Sequence, residues 1–153
     1  MSQTPDNIGA PNRAEPADLS EANDRTAIVA VLGAYEKALN ASSADAVMPL
    51  YAPDGVFMDC FSPSAVGTEA VRREYDAVFK ALTLQVKFQI VEVVVMSGEW
   101  AFARTNSAGT VTFLASGTQR TEGNQELFIF RKCADGAWKI ARYCFSPTKP
   151  PPK

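Results

Sequence analysis

The sequence predicts an α+β fold, with helices near the amino terminus packed on one face of a mostly antiparallel sheet. Three observations carry this. Apolar residues recur at helical spacing in two segments, Ile28, Val31, Leu32, Tyr35, Leu39 and then Val71, Tyr75, Val78, Phe79, Leu82. After Leu84 the pattern changes to the alternation of strands. Turn signals at Ser97-Gly98, Ala115-Ser116-Gly117-Thr118 and Ala134-Asp135-Gly136 divide that second half into hairpins.

Taken in order, residues 1–20 carry Pro5, Pro11 and Pro16 among small polar residues and read as a mobile arm. One domain follows over 21–146, and 147–153 is a proline-rich tail suited to an extended polyproline conformation. The first helix spans roughly Asp24 to Asn40 and is broken by Ser42-Ser43; a short second helix covers Ala44 to Tyr51. Pro53-Asp54-Gly55 turns the chain into a strand running through Val56-Phe57-Met58-Asp59-Cys60-Phe61, ended by Ser62-Pro63-Ser64. Thr68 is placed to cap a third helix. The next strand alternates at Val86, Phe88 and Ile90, then changes phase to Val91, Val93 and Val95; a shift of one residue is what a bulge produces, and bulges bend sheets. Strands over Trp100 to Leu114, Asn124 to Lys132 and Trp138 to Phe145 complete the set. A bent sheet covered on its concave side leaves a cone in which a small ligand can sit.

Composition removes several function classes. Fifteen Lys and Arg against 17 Asp and Glu, with no basic block, argue against a nucleic-acid partner. No apolar run approaches a membrane span, and the amino terminus lacks the features of a signal peptide, so a cytoplasmic protein with no membrane partner is expected. The chain has no histidine, which removes Ser-His-Asp and Cys-His nucleophile systems and histidine-based metal sites. Cys60, Cys133 and Cys144 form no CxxC pair and are expected to be buried reduced thiols. No metal, nucleotide or flavin site is visible, and no cofactor is expected. Chemistry must then run on carboxylates, Tyr, Lys, Arg or thiols.

Asp59 is the residue most in need of explanation. A carboxylate in an apolar strand is costly unless it is paired, hydrogen-bonded or protonated. It either faces a pocket or is tied to backbone or an arginine. Strand parity puts Phe57 and Phe61 on its side, surroundings that would raise its pKa toward a value useful in a general base. On the strand from Trp100, one face carries Trp100, Phe102, Arg104 and Asn106, a set suited either to holding a ligand carboxylate or carbonyl or, the favoured reading, to a subunit interface.

Three motifs in this order resemble the nuclear transport factor 2-like superfamily, in its SnoaL-like and ketosteroid-isomerase-like branch. They are Leu50-Tyr51-Ala52-Pro53-Asp54-Gly55-Val56-Phe57, Gly67-Thr68-Glu69-Ala70-Val71, and Phe128-Ile129-Phe130-Arg131-Lys132 with Asp135-Gly136-Ala137-Trp138-Lys139-Ile140. The resemblance implies a cystatin-like α+β barrel, a cone-shaped and strongly curved sheet around a deep pocket, in a homodimer formed through the sheet. It also implies site residues. Ketosteroid isomerases use a helix tyrosine, an aspartate on the first strand that moves a proton, and a second acid on a late strand. Tyr35, Asp59 and Glu126 fall at those positions. Glu126 is one methylene longer than the family's aspartate, and Cys60 stands where a proline often follows the catalytic residue. Phe57, Phe61, Tyr75, Phe79, Phe128, Tyr143 and Phe145 are the implied ligand contacts.

The expected function is binding of a small, largely apolar, carbonyl-bearing molecule, with cofactor-free acid–base catalysis (isomerase, cyclase, dehydratase or hydrolase-like) through Asp59. The alternatives are a non-catalytic association domain and a passive metabolite binder, because one fold hosts all three.

Overall fold

The structure, a computed structural model, describes residues 16–150, with side chains from Leu19 onward. Residues 1–15 of the expected arm and the last three of the proline-rich tail lie outside the described residues. The elements are α1 (Pro16–Asn40), α2 (Ala44–Val47), a single 3₁₀ turn (Met48–Leu50), β1 (Tyr51–Met58), β2 (Ala65–Val66), α3 (Thr68–Ala81), β3 (Leu82–Val95), β4 (Trp100–Phe113), β5 (Gln119–Lys132) and β6 (Trp138–Pro147). The helices pack on one side of a six-stranded, curved, unclosed sheet of order β2-β1-β6-β5-β4-β3. Only β1 and β6 run parallel; the other neighbours are antiparallel.

Several boundaries differ from expectation. The second helix ends at Val47, with a 3₁₀ turn over Met48–Leu50, and β1 begins at Tyr51, so Pro53-Asp54-Gly55 lies inside the strand at a break in its pairing with β6 rather than before it. Helix α1 begins at Pro16 rather than near Asp24, since a proline costs little in the first turn, where N–H groups have no intrahelical partner. Thr68 is the first residue of α3 and not its cap; Gly67 holds the cap position at φ 85°, and the Thr68 hydroxyl donates to the Pro53 carbonyl. Strand β5 starts five residues before Asn124, because the long β4 supplies it with partners as far as Thr112. Strand β1 stops at Met58, so Asp59 follows the strand instead of sitting within it.

Curvature comes from identifiable places. The phase change at Ile90 and Val91 is a bulge: Ile90 pairs with Thr105 and Glu92 with Arg104, leaving Val91 unmatched. A second bulge sits at Ala141, between the pairs Ile129–Arg142 and Phe130–Ile140. At Gly109 the β3 backbone comes so close that a Cβ would lie 1.9 Å from the Gln85 carbonyl oxygen. Only glycine permits that approach.

Strand β3 is a sheet edge, and α1 covers it. Asn40 donates to the Val86 carbonyl and accepts from the Val86 N–H, both at 2.8 Å, and Glu36 accepts from the Phe88 N–H at 2.9 Å. Further up, Arg25 donates to the Val93 carbonyl. These contacts satisfy backbone groups an edge leaves open. On the interior strands β6 and β5, Trp138 Nε1 at 2.9 Å and Lys132 Nζ at 3.1 Å donate to buried Asp24, which lowers its pKa. Helix α1 is thus fastened to the edge strand β3 and to the interior strands β5 and β6, with Ile28, Leu32, Tyr35, Ala38 and Leu39 turned into the core. None of the described helices is long and apolar enough to cross a membrane.

Candidate functional site

A cavity of ≈ 190 Å³ opens between α1, α3 and the concave face of the sheet. A cavity of about 150 Å³ can hold benzene, so this space takes one ring with small substituents. Its walls are mostly aliphatic and aromatic: Leu82, Leu84, Val86 and Phe88 from β3, with Phe57, Tyr143 and Phe145 from β1 and β6. Tyr35, Asp59 and Glu126 enter this one cavity from a helix, the end of a strand and a central strand.

Asp59 sits where β1 breaks off into the 59–64 loop. Its Oδ1 accepts from the Cys60 N–H at 2.7 Å. Burial, followed by the neighbouring Glu74 carboxyl on α3, raises its pKa to about 6 despite that hydrogen bond. Glu126 is 5% exposed, paired across the sheet with Thr105, whose hydroxyl donates to its Oε2 at 3.0 Å. Burial raises its pKa to about 7, against hydrogen bonds from Ser107 and Thr105 that favour the ionised form. Its Oε1 is buried without a partner among the described residues. A carboxyl with one oxygen held and the other unbonded in an apolar cavity is equipped to donate a proton to a ligand oxygen.

Tyr35 is fully buried, and its hydroxyl lies 2.7 Å from that of Tyr75, which lies 2.7 Å from that of Tyr51. Burial raises the pKa of all three. If Tyr51 donates to Tyr75 and Tyr75 to Tyr35, the Tyr35 proton is left for a ligand oxygen, and each bond polarises the next.

Among the expected ligand contacts, Phe57, Tyr75, Tyr143 and Phe145 line the cavity. Phe128 and Phe79 do not. Phe128 stacks under Tyr143 at 4.3 Å between ring centroids, and Phe79 packs beside Tyr75 at 6.0 Å. Phe61 lies outside the cavity. Once β1 ends at Met58, parity no longer applies, and Phe61 stands fully exposed at φ 65°. The three cysteines are half-buried free thiols rather than fully buried ones. Sequence reasoning missed Glu74. It lies three residues after Val71 and four before Val78 on α3, the edge of the same apolar stripe, and that spacing was the available signal. No group of three or more His, Cys, Asp or Glu among the described residues is placed to hold a metal ion.

A family model described as a SnoaL-like domain matches residues 31–143. No curated protein matches. Among solved structures, a ketosteroid isomerase-like protein from Erwinia carotovora atroseptica is 39% identical, with 82% of this chain and 96% of that chain covered at a TM-score of 0.79. A nuclear transport factor 2-like superfamily protein from Salmonella enterica is 13% identical, over 85% and 94%, at 0.75. A scytalone dehydratase candidate from Novosphingobium aromaticivorans is 15% identical, over 86% and 89%, at 0.74. The last two likenesses concern the fold alone.

Proposed function

The chain belongs to the SnoaL-like family of the nuclear transport factor 2-like fold, and from that premise we propose that it is a cofactor-free acid–base enzyme for a small, mainly apolar carbonyl compound. One observation carries the reading: a single ring-sized cavity holds two carboxyls with raised pKa values and a tyrosine hydroxyl. Perturbed carboxyls gathered in an apolar cleft are a mark of function.

In this reading Asp59, ionised above about 6, takes the proton from the carbon next to the carbonyl. The electron pair of the broken C–H bond moves into an enolate, and negative charge gathers on oxygen. Tyr35 and protonated Glu126 donate hydrogen bonds to that oxygen, each donor contributing about 3 kcal/mol if well aimed. Return of the proton from Asp59 to a different carbon completes an isomerisation; loss of a β-hydroxyl as water completes a dehydration. The likeness to the Erwinia protein supports the first class most directly.

The test is conversion of a β,γ-unsaturated cyclohexenone to its conjugated isomer, followed by ultraviolet absorbance, with deuterium uptake from heavy water as a second readout. Asp59 must be ionised and Glu126 protonated, so the rate should peak in the narrow interval between about 6 and about 7. Asp59→Asn should lower the rate by about 10²–10⁴-fold. A rate unchanged in Asp59→Asn would refute the assignment.

A further inference from the structure

A second cavity, of ≈ 210 Å³, lies beside the first, and Glu122 lines both. Its walls are Arg120 to Gly123 of β5, Phe61, and the end of the chain at Pro147, Lys149 and Pro150. Side chains two apart share a sheet face, so Arg120, Glu122, Asn124 and Glu126 form one row along β5. The last three line the inner cavity, while Arg120 and Glu122 line the outer one. The two spaces therefore lie along one continuous polar row.

Arg120 is held with its hydrogen-bonding capacity unused. Its guanidinium carbon lies 4.5 Å from the centroid of the Phe113 ring, which fixes the plane of the fork. Its Nη2 is 3.8 Å from Glu122 Oε1, too far for a hydrogen bond. Its Nε is buried with no partner among the described residues. Lys149 is positioned by the backbone: the Thr148 N–H donates to the Gly123 carbonyl at 2.8 Å, laying the chain end across a residue with no side chain. A Cβ at Gly123 would meet Thr148 Oγ1 at 2.9 Å.

The charges are thus sorted by depth. The inner cavity holds the ionised Asp59 and no Lys or Arg, Glu122 stands between the two spaces, and the outer one adds Arg120 and Lys149. We propose that the substrate is an elongated apolar carboxylate, whose carbonyl-bearing end enters the inner cavity while its carboxylate rests on Arg120 and Lys149. A planar carboxylate fits a guanidinium fork, and neither Nη of Arg120 is engaged in a hydrogen bond among the described residues. Arg120 and Glu126 are six positions apart, about 20 Å of strand before the reach of the arginine is subtracted, so several bonds must separate the two ends of the ligand. This inference rests on the inner cavity being the ligand site.

The experiment is isothermal titration calorimetry of the full chain with phenylhexanoate and phenylhexanamide, which differ mainly in charge. The acid should bind about tenfold tighter, with the margin shrinking as salt is raised. Arg120→Gln and Lys149→Gln should each reduce the margin, and Arg73→Gln, an exposed cation that lines neither cavity, should keep it. Phenylacetate, too short to span the two spaces, should show no advantage over its amide. Equal binding of the long acid and amide would overturn the outer site and leave the inner one standing. Failure of both to bind would overturn the two readings together. A margin that survives in both folded variants, or appears equally for phenylacetate, would also overturn it.

Discussion

At the scale of single residues, Glu126 joins function to stability through its proton. Its folded pKa, about 7, lies above the unfolded value near 4.5. The folded state therefore binds more protons between those limits, and stability falls as pH rises through that window. Below about 4.5 both states are protonated and nothing is lost; above about 7 the whole difference is lost, on the order of 3 kcal/mol. Glu126→Gln, which cannot ionise, should raise the melting temperature at about pH 8 and leave it nearly unchanged at about pH 5. Equal shifts at both values would refute the burial of an ionised Glu126 as the cause. Asp59 stands out by residue type and position in an apolar run, whereas Glu126 is marked only by the family resemblance. The environment of neither was legible in the sequence. The apolar run places Asp59 within a strand, whereas it lies just past one, and the α3 stripe puts Glu74 at the edge of a buried face without showing that it meets Asp59.

Elements show a similar division. The helical stripes and the bulge at Val91 follow from periodicity, because a face buried against a core must repeat at the period of its backbone. Hydrogen bonds made across the chain leave no such trace. Asn40 reads as the end of a helix, yet its amide serves both backbone groups of Val86 on the edge strand 46 residues away. Asn40→Ala would strip two partners from that edge, at a cost of about 1–3 kcal/mol. Hydrogen exchange should locate the effect, with the Val86 amide exchanging faster and the amides of central β5 shifting only by the global loss of stability. Gly109 allows a sharper comparison. Ala at this position would drive a methyl group into the Gln85 carbonyl, so Gly109→Ala should cost at least about 3 kcal/mol by urea unfolding. Gly98→Ala, with nothing within 4 Å of the new Cβ, should lie within about 0.5 kcal/mol of the parent chain. Similar costs at both sites would show that the close approach of β3 to β4 contributes little to the curl of the sheet.

On the scale of the whole molecule, the sheet has two unlike faces. The concave face is consumed by α1, α3 and the cavity. The opposite face carries Trp100, Phe102, Arg104 and Asn106 on β4, as the alternation of that strand implies. Cross-strand partners share a face, so Val94, Phe102 and Ile129 form an apolar row, with Leu127 beside Arg104. Trp100 and Leu127 remain more than a third exposed, and the Arg131 guanidinium lies 5.7 Å from the Trp100 ring. Aromatics and arginine around an apolar centre are the composition of an interface core. The proposal that follows is a homodimer through this outer face, a separate matter from the cavity on the other side. Leu127→Glu places a charge at the centre of the patch and should weaken the dimer by at least about 2 kcal/mol, roughly thirtyfold. Sedimentation should then show monomer at micromolar concentration, while calorimetry still detects the acid probe in the cavity. A parent chain that sediments as a monomer, or a Leu127→Glu variant that remains dimeric, would move the interface off this face. Loss of probe binding together with the dimer would instead mean that the two faces of the sheet are coupled, and that the cavity depends on the partner subunit to hold its shape.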